Sequence, residues 1–208
     1  MALGMLAELL GLLVPPRCGL CSGECPARAP LCARCEARIA RLTPRPAVVP
    51  GLDDAWSAAP YDGVARALVM ALKFRARPAL ALPAAAAIAS RAPRELLRGT
   101  IVPVPPAPWR RRWRGFDPAE AIAGALADET GLPVRRCLRR SNGRRQVGRP
   151  RAERLADPPR VRVSGRPPMD ALLIDDVATT GATLGACARA LRAGGAERVR
   201  ALTFARSG

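Results

Sequence analysis

The segment that most constrains the fold of this chain is Ala171–Leu184, ALLIDDVATTGATL. It begins with an apolar run of strand length that leads into two adjacent acids, Asp175 and Asp176. A short turn of small and hydroxyl-bearing residues follows, and apolar residues then recur at helical spacing from Leu184. The pattern predicts a strand, a loop and the start of a helix.

Such a junction is suited to binding a sugar phosphate. The N–H groups at a helix start, together with threonine hydroxyls, can surround a phosphate monoester, and Gly181 lets the backbone approach it closely. The two carboxylates can accept hydrogen bonds from vicinal sugar hydroxyls or from waters on Mg²⁺. The structural alternative is an ordinary helix cap after an ordinary strand end. The predicted binding residues are Asp175, Asp176, Ala178, Thr179, Thr180, Gly181, Ala182 and Thr183.

Four cysteines near the amino terminus have the spacing of a metal site. Two Cys-x-x-Cys pairs, Cys18 with Cys21 and Cys32 with Cys35, supply four thiolates for a tetrahedral ion, usually Zn²⁺. Four sulfurs leave no open position for a substrate, so the zinc would be structural. Cys25 lies between the pairs and leaves a shifted ligand set open. Disulfides are the alternative, but they are uncommon in a reducing compartment.

A second informative segment is Trp109–Phe116, WRRRWRGF. Its guanidinium groups can neutralise a pyrophosphate group, and we expect Arg110, Arg112 and Arg114 to do so. Arginines interleaved with tryptophans also suit stacking on single-stranded bases. A solvated loop anchored by its tryptophans is the third interpretation.

Positive charge is concentrated in one part of the chain. The formal net charge is +17, and Lys73 is the only lysine among the 34 basic residues. The abundance of Arg, Ala and Pro indicates a general compositional bias, so the distribution of charge says more than its total. Between Arg135 and Arg166 there are 12 arginines and two acids, a density that attracts nucleic acid, nucleotides or pyrophosphate. An exposed Arg-rich loop with no fixed partner is the alternative.

Strands alternating with helices predict an α/β fold with a mostly parallel sheet flanked by helices, and ligands at the carboxyl ends of the strands. We expect an N-terminal helix and a four-cysteine zinc-binding head over residues 1–43, a linker and first strand over 44–60, and a ligand-binding domain over 61–208. Helices are predicted at 63–74, at 78–91 and from Asp117, and strands at 100–106, 133–138 and 199–204. The Pro-rich residues 41–55 are predicted to be linker.

The amino terminus is apolar, but it lacks a basic region and is interrupted by Glu8, which is not typical of a signal peptide. Leucines at 3, 6, 10 and 13 share one face of a helix instead. No segment is long enough to cross a membrane. We therefore expect a cytoplasmic protein.

Leu173–Leu184 resembles the phosphoribosyl pyrophosphate (PRPP) loop of type I phosphoribosyltransferases. Over nearly its whole length the chain is similar to the ComF family of phosphoribosyltransferase-like competence proteins. The matching features are the double cysteine pair, Tyr61, Leu72-Lys73-Phe74, Val102-Pro103-Val104-Pro105, Arg114-Gly115-Phe116, Gln146 and Arg154.

The resemblance implies a type I phosphoribosyltransferase-like fold that binds PRPP with Mg²⁺ and carries a structural zinc. It implies a role in DNA uptake or nucleotide metabolism, with single-stranded DNA and a competence helicase as partners. Transfer of the ribosyl group to an acceptor is one expectation. A non-catalytic single-stranded-DNA-binding accessory factor is the other.

Overall fold

The computed structural model describes residues 16–27, 29–74, 77–107, 115–140 and 159–207. Within this part of the chain the secondary structure alternates between strands and helices, as predicted. The strands are β1 Arg45–Ala47, β2 Asp54–Pro60, β3 Thr100–Pro103, β4 Leu138–Arg140, β5 Val161–Val163, β6 Asp170–Ala178 and β7 Arg198–Arg206. The helices are α1 Ala33–Ala40, α2 Gly63–Phe74, α3 Ala81–Arg91, α4 Pro118–Thr130 and α5 Ala182–Ala193.

In the described residues a central sheet has the strand order β1-β2-β7-β6-β3. Strands β2, β7, β6 and β3 are parallel, and the edge strand β1 pairs antiparallel with β2. In the register of the central strands, Leu173 lies beside Ala201 on one side and beside Val102 on the other. A separate antiparallel pair is formed by β4 and β5. The predicted α/β class with a mostly parallel sheet is confirmed.

Helices cover both faces of the sheet because both faces of β6 are apolar. Leu172 and Ile174 belong to a core that includes residues of α1, α2, α3 and α4. Ala171 and Leu173, which alternate with them, belong to a second core that includes α5 and the β4–β5 pair. The carboxyl ends of the parallel strands therefore lie between two helical layers.

Helix α4 begins and ends where its sequence predicts. The Asp117 carboxylate accepts a hydrogen bond from the Ala119 N–H at 3.0 Å, and Pro118 occupies the first turn, where a missing N–H does no harm. Gly131 ends the helix in the left-handed conformation, with φ 72°. The predicted helix at 63–74 is likewise confirmed as α2.

Some local predictions are wrong. Residues 45–47, inside the predicted linker, form β1. The strand predicted over 133–138 is absent there: Val134 makes only an isolated bridge to Ile101, and β4 begins at Leu138. The predicted N-terminal helix lies outside the described residues. Among the described helices, none has the length and apolarity needed to span a membrane.

Candidate functional site

A cavity of about 450 Å³ lies at the carboxyl end of the parallel strands. The acidic end of β6, the start of α5, the start of α4, the last turn of α2 and the loop after β3 all contribute to its wall. Its lining residues are Tyr61, Lys73, Val104, Pro105, Pro106, Ala107, Asp117, Pro118, Ala119, Arg140, Asp175, Asp176, Val177, Thr179 and Thr183.

The two adjacent acids lie within β6 and not after it. The sequence predicts them at the end of the strand, but β6 continues to Ala178 because β7 pairs with it that far. Successive strand residues face opposite sides of a sheet, so Asp176 lies on the side of Leu172 and Ile174, and Asp175 lies on the other. Asp176 is buried and Asp175 is partly exposed, and both line the cavity.

Lys73 supplies the counter-charge for this acidic pair. Its Nζ lies 2.9 Å from Asp176 Oδ1, and both side chains are largely shielded from solvent. Lys73 is in the last turn of α2, whose apolar residues pack on the face of the sheet that carries Asp176. Lys73 is not among the site residues predicted from the sequence. Its being the only lysine of the chain was the available signal.

The turn between β6 and α5 is shaped by Gly181. This residue is buried and has φ 73°, and a Cβ at this position would lie 3.0 Å from both methyl carbons of Val49. The helix then starts with the Gly185 N–H donating to the Gly181 carbonyl at 2.8 Å. Thr180 Oγ1 accepts from the Ala182 N–H at 3.3 Å, which satisfies one donor of the first turn.

Four of the eight predicted ligand-binding residues line the cavity, and four do not. Asp175, Asp176, Thr179 and Thr183 line the cavity. The other four are not among its lining residues: Ala178 is buried in the core, Gly181 is buried against Val49, and Thr180 and Ala182 are exposed.

Burial and mutual repulsion hold protons on carboxyl groups of the cavity. Burial raises the pKa of Asp175 well above its ordinary range, and the neighbouring Asp176 charge adds to the rise, while Lys73 opposes it. Burial also raises the pKa of Asp117 to about 6, although N–H groups of Ala119 and Glu120 partly offset this. The site therefore combines acceptor groups with two carboxyls of raised pKa, and Asp117 exchanges its proton at about pH 6.

The predicted pyrophosphate-neutralising residues Arg110, Arg112 and Arg114 lie outside the described residues. So does most of the Arg-rich segment, from residue 141 to residue 158. Arg140, at the end of β4, lies within the described part and lines the cavity.

The four predicted metal ligands come together at the amino-terminal end of the described chain. The Sγ atoms of Cys18, Cys21, Cys32 and Cys35 all lie within 4.8 Å of one another, and those of Cys21 and Cys32 are 3.7 Å apart. Tetrahedral zinc with bonds of about 2.3 Å requires sulfur separations of about 3.8 Å. The cluster can therefore hold a metal ion such as Zn²⁺.

The backbone around Cys18 and Cys21 favours thiolates, whereas burial and the neighbouring thiols raise the pKa of Cys35 to about 12. Burial by itself would raise the pKa of Cys18, but the N–H groups of Cys21, Cys32 and Leu20 point at its sulfur and lower that pKa to about 6. The Ser22 N–H donates to the Cys18 carbonyl at 3.1 Å and tightens the first Cys-x-x-Cys turn. A lowered thiol pKa favours metal binding, because the thiolate is the ligand form.

The remaining cysteines are outside the cluster. The Cys25 thiol donates to the Ala29 carbonyl at 3.1 Å, and burial together with the neighbouring sulfur charges raises its pKa. The ligand set left open by the sequence is thus Cys18, Cys21, Cys32 and Cys35, without Cys25. Cys137 and Cys187 are buried in the second core, as expected of small apolar residues.

Neither the comparison with protein-family models nor the search of curated proteins finds a match to this chain.

Proposed function

We propose that this protein binds PRPP with Mg²⁺ in the cavity at the carboxyl end of the sheet and acts as a phosphoribosyltransferase-type protein of the ComF type. The observation that carries the proposal is the meeting of Asp175, Asp176, Thr179 and Thr183 in one cavity, next to the start of α5. Acceptors for sugar hydroxyls and donors for a phosphate are thus close enough to contact one small molecule. The fold would be that of a type I phosphoribosyltransferase.

In this proposal the 5-phosphate lies at the turn before α5. The hydroxyls of Thr179 and Thr183 donate to it, and the positive end of the helix dipole favours its charge. Gly181 keeps the turn free of a Cβ, so the backbone passes close to Val49 without distortion. The cavity volume is in the usual range for small-molecule sites.

The acids take the sugar and the metal-bound water. Asp175 and Asp176 accept hydrogen bonds from the ribose hydroxyls or from waters on Mg²⁺, and the metal would balance the charge of the diphosphate. Lys73 pairs with the Asp176 carboxylate and fixes its orientation by the 2.9 Å contact. Arg110, Arg112 and Arg114 are proposed to neutralise the leaving pyrophosphate.

The cysteine cluster is proposed to hold a structural Zn²⁺. It lies apart from the cavity, since none of its four residues is among the lining residues. Arg91 of α3 donates to the carbonyls of Ile39 and Ala40, both at 2.9 Å, and so links α1, the helix that contains Cys35, to the main core. The metal then stabilises the amino-terminal part of the fold and takes no part in chemistry.

By its resemblance to the ComF family, the proposal assigns the protein to DNA uptake or nucleotide metabolism. Single-stranded DNA and a competence helicase are its proposed partners, and a reducing cytoplasm its proposed location. The alternative, a non-catalytic single-strand-binding factor, depends on arginines that are mostly outside the described residues. The contacts of the described part favour the sugar-phosphate site.

The test is calorimetric titration of zinc-loaded protein with PRPP and Mg²⁺. Saturable binding is expected, with a loss of at least about tenfold in affinity for Asp176→Asn and for Thr183→Val, because each removes a proposed contact worth more than about 1 kcal/mol. Asp128→Asn is the matched control, since Asp128 is exposed on α4 and is not a lining residue. Absence of binding by well-folded protein would refute the proposal.

A further inference from the structure

Asp117 lines the cavity from a different wall than the acids of β6. It precedes α4, whereas Asp175 and Asp176 are near the carboxyl end of β6. The Ala119 N–H, 3.0 Å away, holds its carboxylate at the helix start. The side chain is thus fixed in position, partly shielded from solvent and directed to a space where a ligand fits.

The three cavity carboxyls have different partners. Asp176 is paired with Lys73, and Asp175 Oδ1 accepts from the Asp176 N–H at 2.8 Å. Asp117 has neither a lysine nor an arginine among the partners that the described residues give it. A carboxyl without a paired cation, in a partly buried site, takes up a proton readily.

The charged and titratable groups around Asp117 come from several elements. The carboxylate charge of Glu120, one turn further along α4, raises the pKa of Asp117, although the Glu120 N–H lowers it. The Glu120 carboxylate is itself paired with Arg136. From β6, the Asp176 charge acts in the same direction. The remaining titratable groups of the described cavity wall are Tyr61, Lys73, Arg140 and Asp175. Burial and repulsion together keep this carboxyl near half-protonation at about pH 6.

We infer that Asp117 is the proton acceptor in transfer from PRPP: it removes the proton from the attacking N–H or O–H of the acceptor. This inference rests on the proposed function. In the step, the bond between C1 of the ribose and the pyrophosphate oxygen breaks, and its electron pair leaves with the pyrophosphate. A bond forms between C1 and the acceptor nitrogen or oxygen, and the acceptor proton moves to a carboxylate oxygen of Asp117.

Asp175 and Asp176 are less suited to this role. As acceptors for the ribose hydroxyls they must stay in place during the reaction, and Asp176 is already engaged by Lys73. Asp117 is not engaged by the proposed sugar contacts, and its exchangeable proton matches the working range of a general base near neutral pH. Asp175 and Asp176 then position the sugar, and Asp117 accepts the proton.

The test uses water as the acceptor, because it supplies an O–H without its own titration near pH 6. Pyrophosphate release from Mg²⁺ and PRPP is measured with excess protein between about pH 5 and pH 8. We expect release to increase with pH, to be half-maximal at about pH 6 and to level off above about pH 7. Asp117→Asn, which preserves the helix cap, should decrease the plateau rate about 100-fold and abolish the pH dependence.

Two controls separate this inference from the proposed function. Calorimetry should show that Asp117→Asn binds Mg²⁺ and PRPP at least as tightly as the parent, because it loses a negative charge and no sugar contact. Asp117→Ser, which also caps a helix but has no carboxyl, should be as slow as Asp117→Asn. Unchanged rates and pH profile in both variants, or no release by parent protein that binds PRPP, would overturn the role of Asp117. Failure of the parent to bind PRPP would instead refute the proposed function.

Discussion

Lys73 Nζ lies 2.9 Å from Asp176 Oδ1, which joins the last turn of α2 to the acidic end of β6 at the wall of the cavity. The contact brings a cation to the place where two acids stand next to each other in a buried strand. Without this contact, two adjacent carboxyl groups would be shielded from solvent with no cation to offset their mutual repulsion. The contact thus allows two adjacent acids to exist in this part of the sheet.

Replacing Lys73 by Met should destabilise the fold by about 2 to 4 kcal/mol at pH 7, because it leaves the Asp176 carboxylate buried and unpaired. The free energy of unfolding in urea measures the effect. The double variant Lys73→Met with Asp176→Asn removes both charges and should recover much of the loss. Equal stability of parent and Lys73→Met would contradict the ion pair.

Metal content should distinguish the cluster cysteines from Cys25. The parent and Cys25→Ser are expected to retain about one zinc per chain, and Cys18→Ser or Cys35→Ser to lose most of it. Elemental analysis of purified protein gives the answer. Chelation should also lower the melting temperature of the parent, since metal binding contributes to folding. Loss of zinc from Cys25→Ser alone would show that the ligand set is wrong.

The pH dependence of stability should show the raised pKa of Asp117. Its pKa rises from 3.8 to about 6 in the fold, so the folded protein holds a proton that the unfolded chain releases. Stability from this group is therefore present below about pH 4, is lost as pH rises through about 6, and leaves a deficit of about 3 kcal/mol above it.

Asp117→Asn keeps the cap and removes this titration. It should be more stable than the parent at pH 7, by up to about 3 kcal/mol, with the difference vanishing near pH 4. Urea unfolding at a series of pH values tests this, with Asp128→Asn as a control that follows the parent throughout. A difference between Asp117→Asn and the parent that does not vary with pH would count against a shifted carboxyl.

Gly181→Ala should damage the turn. An alanine would adopt φ near 73° at an expense of about 1 kcal/mol, and its Cβ would crowd both Val49 methyl carbons. We expect a loss of about 1 to 2 kcal/mol in stability and weaker binding of PRPP. The matched control is Gly124→Ala in α4, where a Cβ meets nothing within 4 Å and should stabilise by about 0.5 to 1 kcal/mol. Equal effects of both substitutions would disprove this account of the turn.

The sequence predicts those parts of the fold that local chemistry determines. Both ends of α4 are determined by residues at those ends: the Asp117 cap and Pro118 at the start, and Gly131 at the end. Leu172 and Leu173 face two different apolar cores. The sequence alone does not show this, because a strand with two apolar faces reads as one continuous apolar run. Cysteine spacing was sufficient for the cluster, since the ligand atoms come from two short turns.

Long-range pairing accounts for what the sequence did not reveal. Residues 45–47 form a strand only because β2 offers them a free edge, and no local pattern in a Pro-rich segment indicates that. Strand β6 extends through both acids because β7 runs beside it to Arg206. The contact of Lys73 with Asp176 joins distant parts of the chain, so only the packing of α2 on the sheet brings it about.

The central claim is that one cavity holds the ribose 5-phosphate part of PRPP, and phosphorus NMR of PRPP titrated with zinc-loaded protein and Mg²⁺ tests it most directly. The account predicts that the 5-phosphate resonance shifts or broadens saturably with the parent, and that this change is lost with Asp176→Asn and Thr183→Val but kept with Asp128→Asn. A 5-phosphate resonance that does not respond to well-folded parent protein, or that responds equally to all the variants, would contradict it.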